Sequence, residues 1–229
     1  MLFRSTQPGE GKSITGCSLA ISNAQARRKT LLVDFDLRRP RLAKIWGIEN
    51  LDREHSFSHT LQIGKACDFN ELVNKTDVEN LDVIVSLQPE GVDPASIMGS
   101  DIIPDFFAWA RENYERVIID SPPFGVVGDV MTLANIVDGV LIMCCPDRTH
   151  FRPIQATSRN LAEAGATVLG VVVNDVETGA MGGAFSMHGS YGYGYRKYSY
   201  GSYVYGGRED KESADHKSAE AASTVTDEE

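Results

Sequence analysis

The sequence predicts an α/β domain built on a doubly wound, mostly parallel sheet. Apolar runs typical of strands alternate with helical segments along much of the 229-residue chain, which is the pattern of crossover βαβ units. Two of the runs, at 30–34 and 116–120, are largely apolar and end in an acid, as strands buried on both faces do. A glycine-rich turn at 5–13 joins the first strand to the first helix. Because function gathers at the carboxyl ends of parallel strands, we expect the acids and the turn at one edge of the sheet.

The first strand is short, because only residues 1–6 precede the glycines. The chain therefore begins almost inside the turn, and we expect it to be a truncated piece or to be completed by a segment supplied elsewhere. The helix that follows, at 13–27, carries apolar residues at a loose 3.6-residue spacing. Arg27 and Arg28 lie at its end, where the helix dipole favours positive charge.

A longer helix is predicted at 101–113, where Ile102, Phe106, Trp109 and Ala110 fall on one face. Weaker patterns predict the other elements. In chain order these are short helices near 41–46 and 57–61, a strand at 81–87, a loop at 89–94, a helix at 129–137, a strand at 139–144, a helix at 152–164 and a last strand at 167–173 that reaches Asn174.

Composition limits the classes of function that this chain can have. A hydrophobic fraction of 42% suffices for one sizeable core, and a net charge of −10 argues against a general nucleic-acid binder, which needs a basic surface. The four cysteines form no C-x-x-C pair, so we expect a reduced cytoplasmic protein without disulfides or a zinc site. Neither a signal peptide nor an apolar run long enough to cross a membrane is present. We therefore expect a soluble chain that reaches a membrane only through a partner.

The composition changes along the chain in a way that predicts three segments. The first, 1–180, holds the folded domain, and the last, 208–229, has eight acids, three bases and no aromatic residue, a composition typical of disorder. Between them, the segment 181–207 is rich in Gly and holds seven of the eight tyrosines. These are Tyr191, Tyr193, Tyr195, Tyr198, Tyr200, Tyr203 and Tyr205.

The glycine-rich turn has the chemistry of a phosphate-binding loop. Gly9 and Gly11 have no side chain to hold the backbone away from an anion, and the amides there can point at phosphate oxygens. Lys12 is placed to reach the β- and γ-phosphates, and the Ser13 hydroxyl to hold Mg²⁺. The general pattern asks for Gly where this chain has Thr6. On the loop alone, a glycine-rich turn that binds nothing is the alternative.

Three acids, Asp34, Asp36 and Asp120, end or follow the two buried strands. Mg²⁺ prefers one or two carboxylates together with waters and phosphate oxygens. Phosphoryl transfer needs that metal, a cation and a group that positions the nucleophile. Any one of these acids alone could be a helix cap or a solvated side chain. Beside a lysine-tipped glycine loop, the three together predict an ATP–Mg²⁺ site.

Three stretches of the sequence resemble the nucleotide motifs of the bacterial tyrosine kinases, which regulate capsule and exopolysaccharide synthesis. They lie at 8–13, 31–40 and 117–123. The D-x-D-x-R-R-P run in the second stretch is the most specific, because it is unusual among P-loop proteins. The resemblance covers residues 1–176, and it implies a P-loop NTPase fold of the deviant Walker type. The tyrosine-rich segment matches the C-terminal tyrosine cluster of that family.

The resemblance implies a role for each polar residue of the site. Lys12 would contact the β- and γ-phosphates, and Ser13 would ligate Mg²⁺. Asp34 would ligate the metal and would orient and deprotonate the incoming tyrosine hydroxyl. Asp36 and Asp120 would support Mg²⁺, the latter through a water.

The resemblance also extends the nucleotide site beyond these residues. Asn174 would contact the adenine side, although a turn Asn after a strand is the alternative. Arg38 and Arg39 could bind substrate, face a neighbouring subunit or form a solvated basic turn. The loop residues implied to bind nucleotide are Pro8, Gly9, Glu10, Gly11, Lys12, Ser13 and Ile14.

The resemblance to this family implies a tyrosine autokinase whose phosphate acceptors are the clustered tyrosines. It further implies a membrane-anchored activator, a polysaccharide co-polymerase, at the inner face of the cell membrane. A homo-oligomer would form when the C-terminal tyrosine-rich segment of one chain docks in the active site of a neighbouring chain. Phosphorylation, at about −1.5 to −2 charge per tyrosine, would loosen that assembly.

Two other functions stay open at this point. A partition- or cell-division-type ATPase would have the same fold, but those proteins carry an extra lysine early in the loop, where this chain has Gln7. That class also gives the clustered tyrosines no purpose. A nucleotide-sensing scaffold would bind ATP–Mg²⁺ without transferring phosphate, although Lys12 and all three acids are present.

Overall fold

A computed structural model of the chain describes residues 2–5, 9–48, 50–65, 67–91, 93–97, 99–123, 133, 136–146 and 148–176. The tyrosine-rich and acidic segments, 181–207 and 208–229, lie outside the described residues, as does most of the helix predicted at 129–137. The segment boundaries after residues 180 and 207 therefore stay predictions.

A single sheet runs through the described part of the chain. Its seven strands are β1 (Leu2–Ser5), β2 (Thr30–Asp34), β3 (Asn74–Lys75), β4 (Leu81–Ile84), β5 (Arg116–Asp120), β6 (Val140–Cys144) and β7 (Val168–Val173). They lie in the order β3-β4-β2-β5-β1-β6-β7. Every neighbouring pair is parallel except β3 and β4. The prediction of a mostly parallel sheet is confirmed.

Helices connect most of these strands, as the alternation in the sequence predicted. None of those in the described ranges is both long and apolar enough to span a bilayer. They are α1 (Lys12–Gln25), α2 (Leu42–Ile45), α3 (Phe57–Ile63), α4 (Pro94–Ile97), α5 (Ile102–Asn113) and α6 (Phe151–Glu163), with 3₁₀ turns at Arg53–His55 and Phe69–Leu72.

Apolar cores lie on both faces of the sheet, which confirms that it is doubly wound. Strand β2 shows how the sequence produces this arrangement, since all five of its residues are buried. Leu31 and Val33 belong to one core, and Leu32 belongs to the other. A strand covered on both sides needs apolar residues at every position, which is why the run appears continuous in the sequence.

The larger core is rich in aromatic rings. Phe35 meets Phe57 edge-on at 4.9 Å between ring centroids and stacks on Phe107 at 5.9 Å. Because Phe35 directly follows β2, these contacts fix the start of the turn beyond the strand. On the opposite face, α1 packs Ala20 and Ala24 into the core. Such small side chains let the helix, and the loop before it, approach the sheet closely.

The strand predicted at 81–87 ends earlier in the structure, at Ile84. The next two residues stay buried but bind other segments instead of the sheet ladder. The Val85 carbonyl accepts a hydrogen bond from the Phe57 amide at 3.0 Å, and the Ser86 hydroxyl donates to the Asp34 carbonyl at 2.8 Å. The second of these bonds holds the end of β2 in place.

Two short elements, β3 and α4, have no counterpart in the sequence prediction. Strand β3 has only two residues, both polar, and it pairs antiparallel at the sheet edge. An edge strand of this length has no apolar alternation to reveal it. Helix α4 begins at Pro94, where the predicted loop ends. Proline suits the first position of a helix because its missing N–H would have no helical partner there.

Candidate active site

The glycine-rich turn and the start of α1 form a bed of backbone amides. Gly9 and Gly11 have φ angles of 84° and 86°, left-handed values that glycine adopts without steric cost. Gly11 is the N-cap of α1, and no side chain caps the first turn of the helix. Exposed amides at the positive end of a helix are the groups that bind phosphate. Pro8, also predicted to bind nucleotide, lies outside the described residues.

Lys12 lies beside the acids of the neighbouring strands. Burial raises the pKa of Asp36 and of Asp120, and the charge of the largely buried Lys12 opposes both shifts. Asp34 and Asp120 are register partners at the ends of β2 and β5. The structure therefore brings the loop lysine and the three acids to one edge of the sheet, and their chemical roles stay predictions.

Asp34 is fully buried and already engaged by the backbone. Its Oδ1 accepts a hydrogen bond from the Asp36 amide at 3.2 Å, and its Oδ2 accepts from the amides of Arg41 and Leu42, each at 3.0 Å. Burial, followed by the charge of Asp120, raises the pKa of Asp34 well above its usual value. This carboxyl therefore holds the turn from β2 to α2, a structural role that the sequence analysis did not foresee.

Asp36 is the one of the three acids that remains partly exposed. Its Oδ1 accepts a hydrogen bond from the Arg39 amide at 3.1 Å. Burial raises its pKa, while that bond and the Lys12 charge act in the opposite direction. Among the three acids, Asp36 is the most accessible to a group arriving from solvent.

Asp120 is a buried carboxylate that makes no hydrogen bond of normal geometry within the described part of the chain. It is 1% exposed, and neither Oδ1 nor Oδ2 has a partner of normal geometry. Burial raises its pKa to about 6, and the nearby Ser13 hydroxyl and Lys12 charge favour its ionised form. Because an unpaired buried charge is unfavourable, this carboxylate is suited to receive a cation.

The donor set fits a Mg²⁺ ion that takes most of its ligands from phosphates and water. Within the described ranges, no three His, Cys, Asp or Glu side chains converge to hold a metal by themselves. Nucleotide-bound Mg²⁺ needs only one or two protein ligands. Ser13 and Asp120 provide such a pair, a hydroxyl and an unpaired carboxylate. Asp34, the third predicted ligand, already accepts three backbone N–H groups.

Asn174, just beyond β7, contacts the loop itself. Its Nδ2 donates to the Glu10 carbonyl at 3.1 Å, and its backbone amide donates to the Cys144 carbonyl at 2.8 Å. The side chain fills the space above Gly11, where an added Cβ would lie 2.1 Å from Nδ2. The family resemblance implies that Asn174 lies on the adenine side, and in the structure its side chain lies against the phosphate-binding loop.

Two residues near the loop were missed by the sequence analysis. The Thr149 hydroxyl donates to the Glu10 carboxylate and accepts a hydrogen bond from the Cys145 amide at 2.9 Å. The Cys145 thiol lies 3.8 Å from the Glu10 carbonyl, within the range of a weak S–H hydrogen bond. A threonine in the loop between β6 and α6 carries no recognisable sequence signal, because its partner lies 139 positions earlier.

The remaining predicted residues lie at the surface. Ile14 is 58% exposed in the first turn of α1. Arg38 forms an ion pair with Asp93 at 3.5 Å, and Arg39 is exposed. An exposed pair of this kind contributes little to stability, so substrate binding and a solvated turn both stay open for the arginines. The clustered tyrosines lie outside the described residues.

A family model described as an AAA domain matches residues 3–150. The match covers β1, the glycine loop, β2 and β5, which together supply Lys12 and the three acids. With the parallel sheet and the loop geometry, it defines this chain as a P-loop nucleotide-binding protein.

Curated relatives identify the family within that class. The chain is 30% identical over 193 residues to the tyrosine-protein kinase YwqD of Bacillus subtilis. That alignment covers 84% of this chain and 76% of YwqD. It is 30% identical over 175 residues to the tyrosine-protein kinase CpsD of Streptococcus pneumoniae, covering 76% of this chain and 74% of that one. The chain belongs to the bacterial tyrosine kinase family, as its three motifs predicted.

Solved structures agree with this assignment. The kinase domain of VpsO is similar with a TM-score of 0.67 and 28% identity, covering 77% of this chain and 84% of that one. The chimerical protein CapA2B2 is similar with a TM-score of 0.66 and 28% identity, covering 75% and 74%. The septum site-determining protein MinD of Pyrococcus horikoshii, solved with Mg-ADP, has a TM-score of 0.62 at 20% identity, covering 75% and 68%. That last likeness shows a shared fold alone.

Proposed function

We propose that this chain is a protein-tyrosine kinase that transfers the γ-phosphoryl group of ATP to the tyrosines of its own C-terminal cluster. The observation that carries the proposal is the unpaired, buried carboxylate of Asp120 beside Lys12 and Ser13, at the foot of the glycine loop. These groups complement a metal–triphosphate. Family membership makes tyrosine the acceptor, and the sequence provides seven tyrosines in one segment.

The loop would bind the triphosphate through its amides and the Lys12 ammonium. Ser13 and Asp120 would hold Mg²⁺, which supplies neutralisation of the charge on the phosphate oxygens. Asn174 would turn its Oδ1, which no described residue engages, toward the exocyclic amine of adenine. The exposed Ile14 would cover the nucleotide from the first turn of α1.

A carboxylate must orient the tyrosine hydroxyl and accept its proton. Of the two candidates on the β2 turn, the geometry favours Asp36 over Asp34. Asp34 has no exposed surface and accepts three backbone N–H groups, whereas Asp36 is partly exposed and close to Lys12. Asp34 would then act through the turn, by holding Asp36 in place.

The finer regulatory role follows from the family resemblance. In this proposal, a membrane-anchored activator of the polysaccharide co-polymerase type recruits the chain to the inner face of the cell membrane. Docking of one tail in a neighbouring site builds a homo-oligomer, and phosphorylation of the tyrosines disassembles it through charge repulsion. The biological output is control of capsular or exopolysaccharide polymerisation and export.

Incubation of the full chain with γ-labelled ATP and Mg²⁺, with and without an activator segment, tests the proposal. We expect label on the clustered tyrosines, its loss in Lys12→Met and its retention in Lys44→Met, which changes an exposed lysine. A variant with all seven clustered tyrosines changed to Phe should lose the label. Steady ATP hydrolysis without tyrosine label would instead indicate a partition-type ATPase, and binding without turnover a scaffold.

A further inference from the structure

We infer that Thr149 is a positioning residue for the phosphate-binding loop and that it acts through Glu10. The inference rests on the proposed function, because ATP is the ligand whose binding it would change. Thr149 lies between β6 and α6 and belongs to none of the three nucleotide motifs. Its hydroxyl hydrogen-bonds the side chain of Glu10, the residue between the two loop glycines.

Glu10 is held from both its side chain and its backbone. Although it is a glutamate in a loop, it is only 1% exposed. The Thr149 hydroxyl binds its carboxylate, while its carbonyl accepts from Asn174 Nδ2 at 3.1 Å and lies 3.8 Å from the Cys145 thiol. The middle of the loop is therefore fastened to the ends of β6 and β7 by side chains that follow those strands.

These contacts of Glu10 orient the backbone amides of the loop. Gly9 and Gly11 on either side of Glu10 are the most conformationally free residues of the loop, and both adopt left-handed φ angles. A residue pinned between two glycines limits the conformations that the loop can sample before ATP arrives. Such pre-organisation lowers the entropy lost on binding and leaves the groups that bind phosphate already oriented.

The turn around Thr149 does not depend on its hydroxyl alone. The Thr149 amide donates to the Cys145 carbonyl at 2.8 Å, and the Arg148 amide donates to the same carbonyl at 3.1 Å. Replacing threonine by valine keeps the branched shape and removes only the hydroxyl. Thr149→Val therefore breaks the contact with Glu10 and also removes the acceptor of the Cys145 amide, while the two backbone bonds continue to hold the turn.

The test is titration of the full chain with ATP and Mg²⁺ by calorimetry, together with kinetics of phosphate transfer. We expect Thr149→Val to raise the Kd and the KM for ATP about tenfold, equivalent to about 1.4 kcal/mol, with kcat at saturating ATP within about twofold of wild type. Thr149→Ser, which keeps a hydroxyl, should restore most of the affinity. The ATP-dependent rise in unfolding temperature should shrink in Thr149→Val and persist in Thr149→Ser.

A residue that merely stabilised the fold would lower the unfolding temperature without ATP and leave the ATP-dependent rise unchanged, and that result would overturn the inference. A double-mutant cycle of Thr149→Val with Glu10→Ala should be non-additive in the Kd for ATP, and additive effects would also contradict it. If Thr149→Val does not fold, Thr149→Ala serves in the same cycle. Failure of the wild-type chain to bind ATP would contradict the proposed function itself, whereas equal binding by wild type and Thr149→Val contradicts only the role of Thr149.

Discussion

Asp34 and Asp120 lie side by side at the ends of two neighbouring parallel strands, yet the protein uses them differently. They are register partners of β2 and β5, and burial raises the pKa of each. The carboxylate of Asp34 accepts three backbone hydrogen bonds, whereas the carboxylate of Asp120 accepts none of normal geometry from the described residues. The two acids look equivalent in the sequence. In the structure, the Asp34 carboxylate holds the backbone of the turn from β2 to α2, whereas the Asp120 carboxylate is left available to a ligand.

Without nucleotide and metal, Asp120 should make the chain less stable as the pH rises. Its carboxyl has a pKa of about 6 when folded and of about 3.9 when unfolded, so the folded chain binds more protons between those values. The associated stability is present below about pH 4 and is lost as the pH rises through about 6. Asp120→Asn should therefore raise the free energy of unfolding at pH 7 by roughly 3 kcal/mol, while abolishing phosphate transfer.

Urea denaturation of wild type and Asp120→Asn between pH 4 and pH 8, in the presence of a chelator, measures this effect. The difference between the two curves isolates Asp120 from its charged neighbours Lys12, Asp36 and Arg41. Asp77→Asn, at an exposed position, should match wild type across the range. A variant at Asp120 that is less stable than wild type at pH 7 would show that the carboxylate has a stabilising partner.

The sequence could place Lys12 and the three acids together because the ends of parallel strands converge, a rule that needs only the order of the elements. It could not distinguish Asp34 from Asp120, because the amides that bind Asp34 belong to Arg41 and its neighbour, and their position depends on the path of the turn. The contact of Thr149 with Glu10 could not be predicted from the sequence either, because it too joins residues that lie far apart along the chain. Periodicity reports which face of an element is buried, and it carries no information on individual long-range hydrogen bonds.

Substitutions of Asp34 and Asp36, the two acids of the turn from β2 to α2, should affect stability and activity differently. Asp34→Ala removes the acceptor of three backbone N–H groups, of which that of Leu42 is buried. A buried donor left unpaired costs about 1–3 kcal/mol, so we expect a loss of more than about 1 kcal/mol of unfolding free energy. Asp36→Ala removes one exposed backbone contact and should cost less than about 1 kcal/mol. If Asp36 positions the tyrosine hydroxyl, its variant should nevertheless lose at least about a hundredfold in kcat.

Chemical denaturation and single-turnover phosphate transfer on the same preparations check both statements. Asp36→Asn is the conservative companion, because it retains a side-chain oxygen for the Arg39 amide and cannot accept the proton. Full activity in Asp36→Asn, with loss of activity in a folded Asp34→Asn, would return the role of base to Asp34.

Tyr114, the one tyrosine outside the cluster, should not accept phosphate. It is buried, its hydroxyl donates to Asp82 Oδ2 at 2.8 Å, and Lys75 Nζ donates to the same oxygen at 2.8 Å. Burial raises the pKa of the Tyr114 hydroxyl, which makes it a poorer nucleophile as well as an inaccessible one. Tyr114→Phe should leave phosphate incorporation unchanged and lower the free energy of unfolding by about 1 kcal/mol. Mass spectrometry of the autophosphorylated chain checks the first part, and phosphate on Tyr114 in the folded protein would contradict it.

Gly9 and Gly11 share a left-handed backbone but differ in what surrounds them, and alanine should reveal the difference. At both positions an alanine would be strained by about 1–2 kcal/mol. A Cβ on Gly9 meets nothing within 4 Å, whereas a Cβ on Gly11 would lie 2.1 Å from Nδ2 of Asn174. Gly11→Ala should therefore displace Asn174 from the Glu10 carbonyl and weaken ATP binding more than Gly9→Ala does.

Adding Asn174→Ala should recover part of the stability lost in Gly11→Ala and none of that lost in Gly9→Ala, as measured by thermal unfolding. Equal responses of the two glycine variants would mean that Asn174 can move aside freely and does not fix the loop.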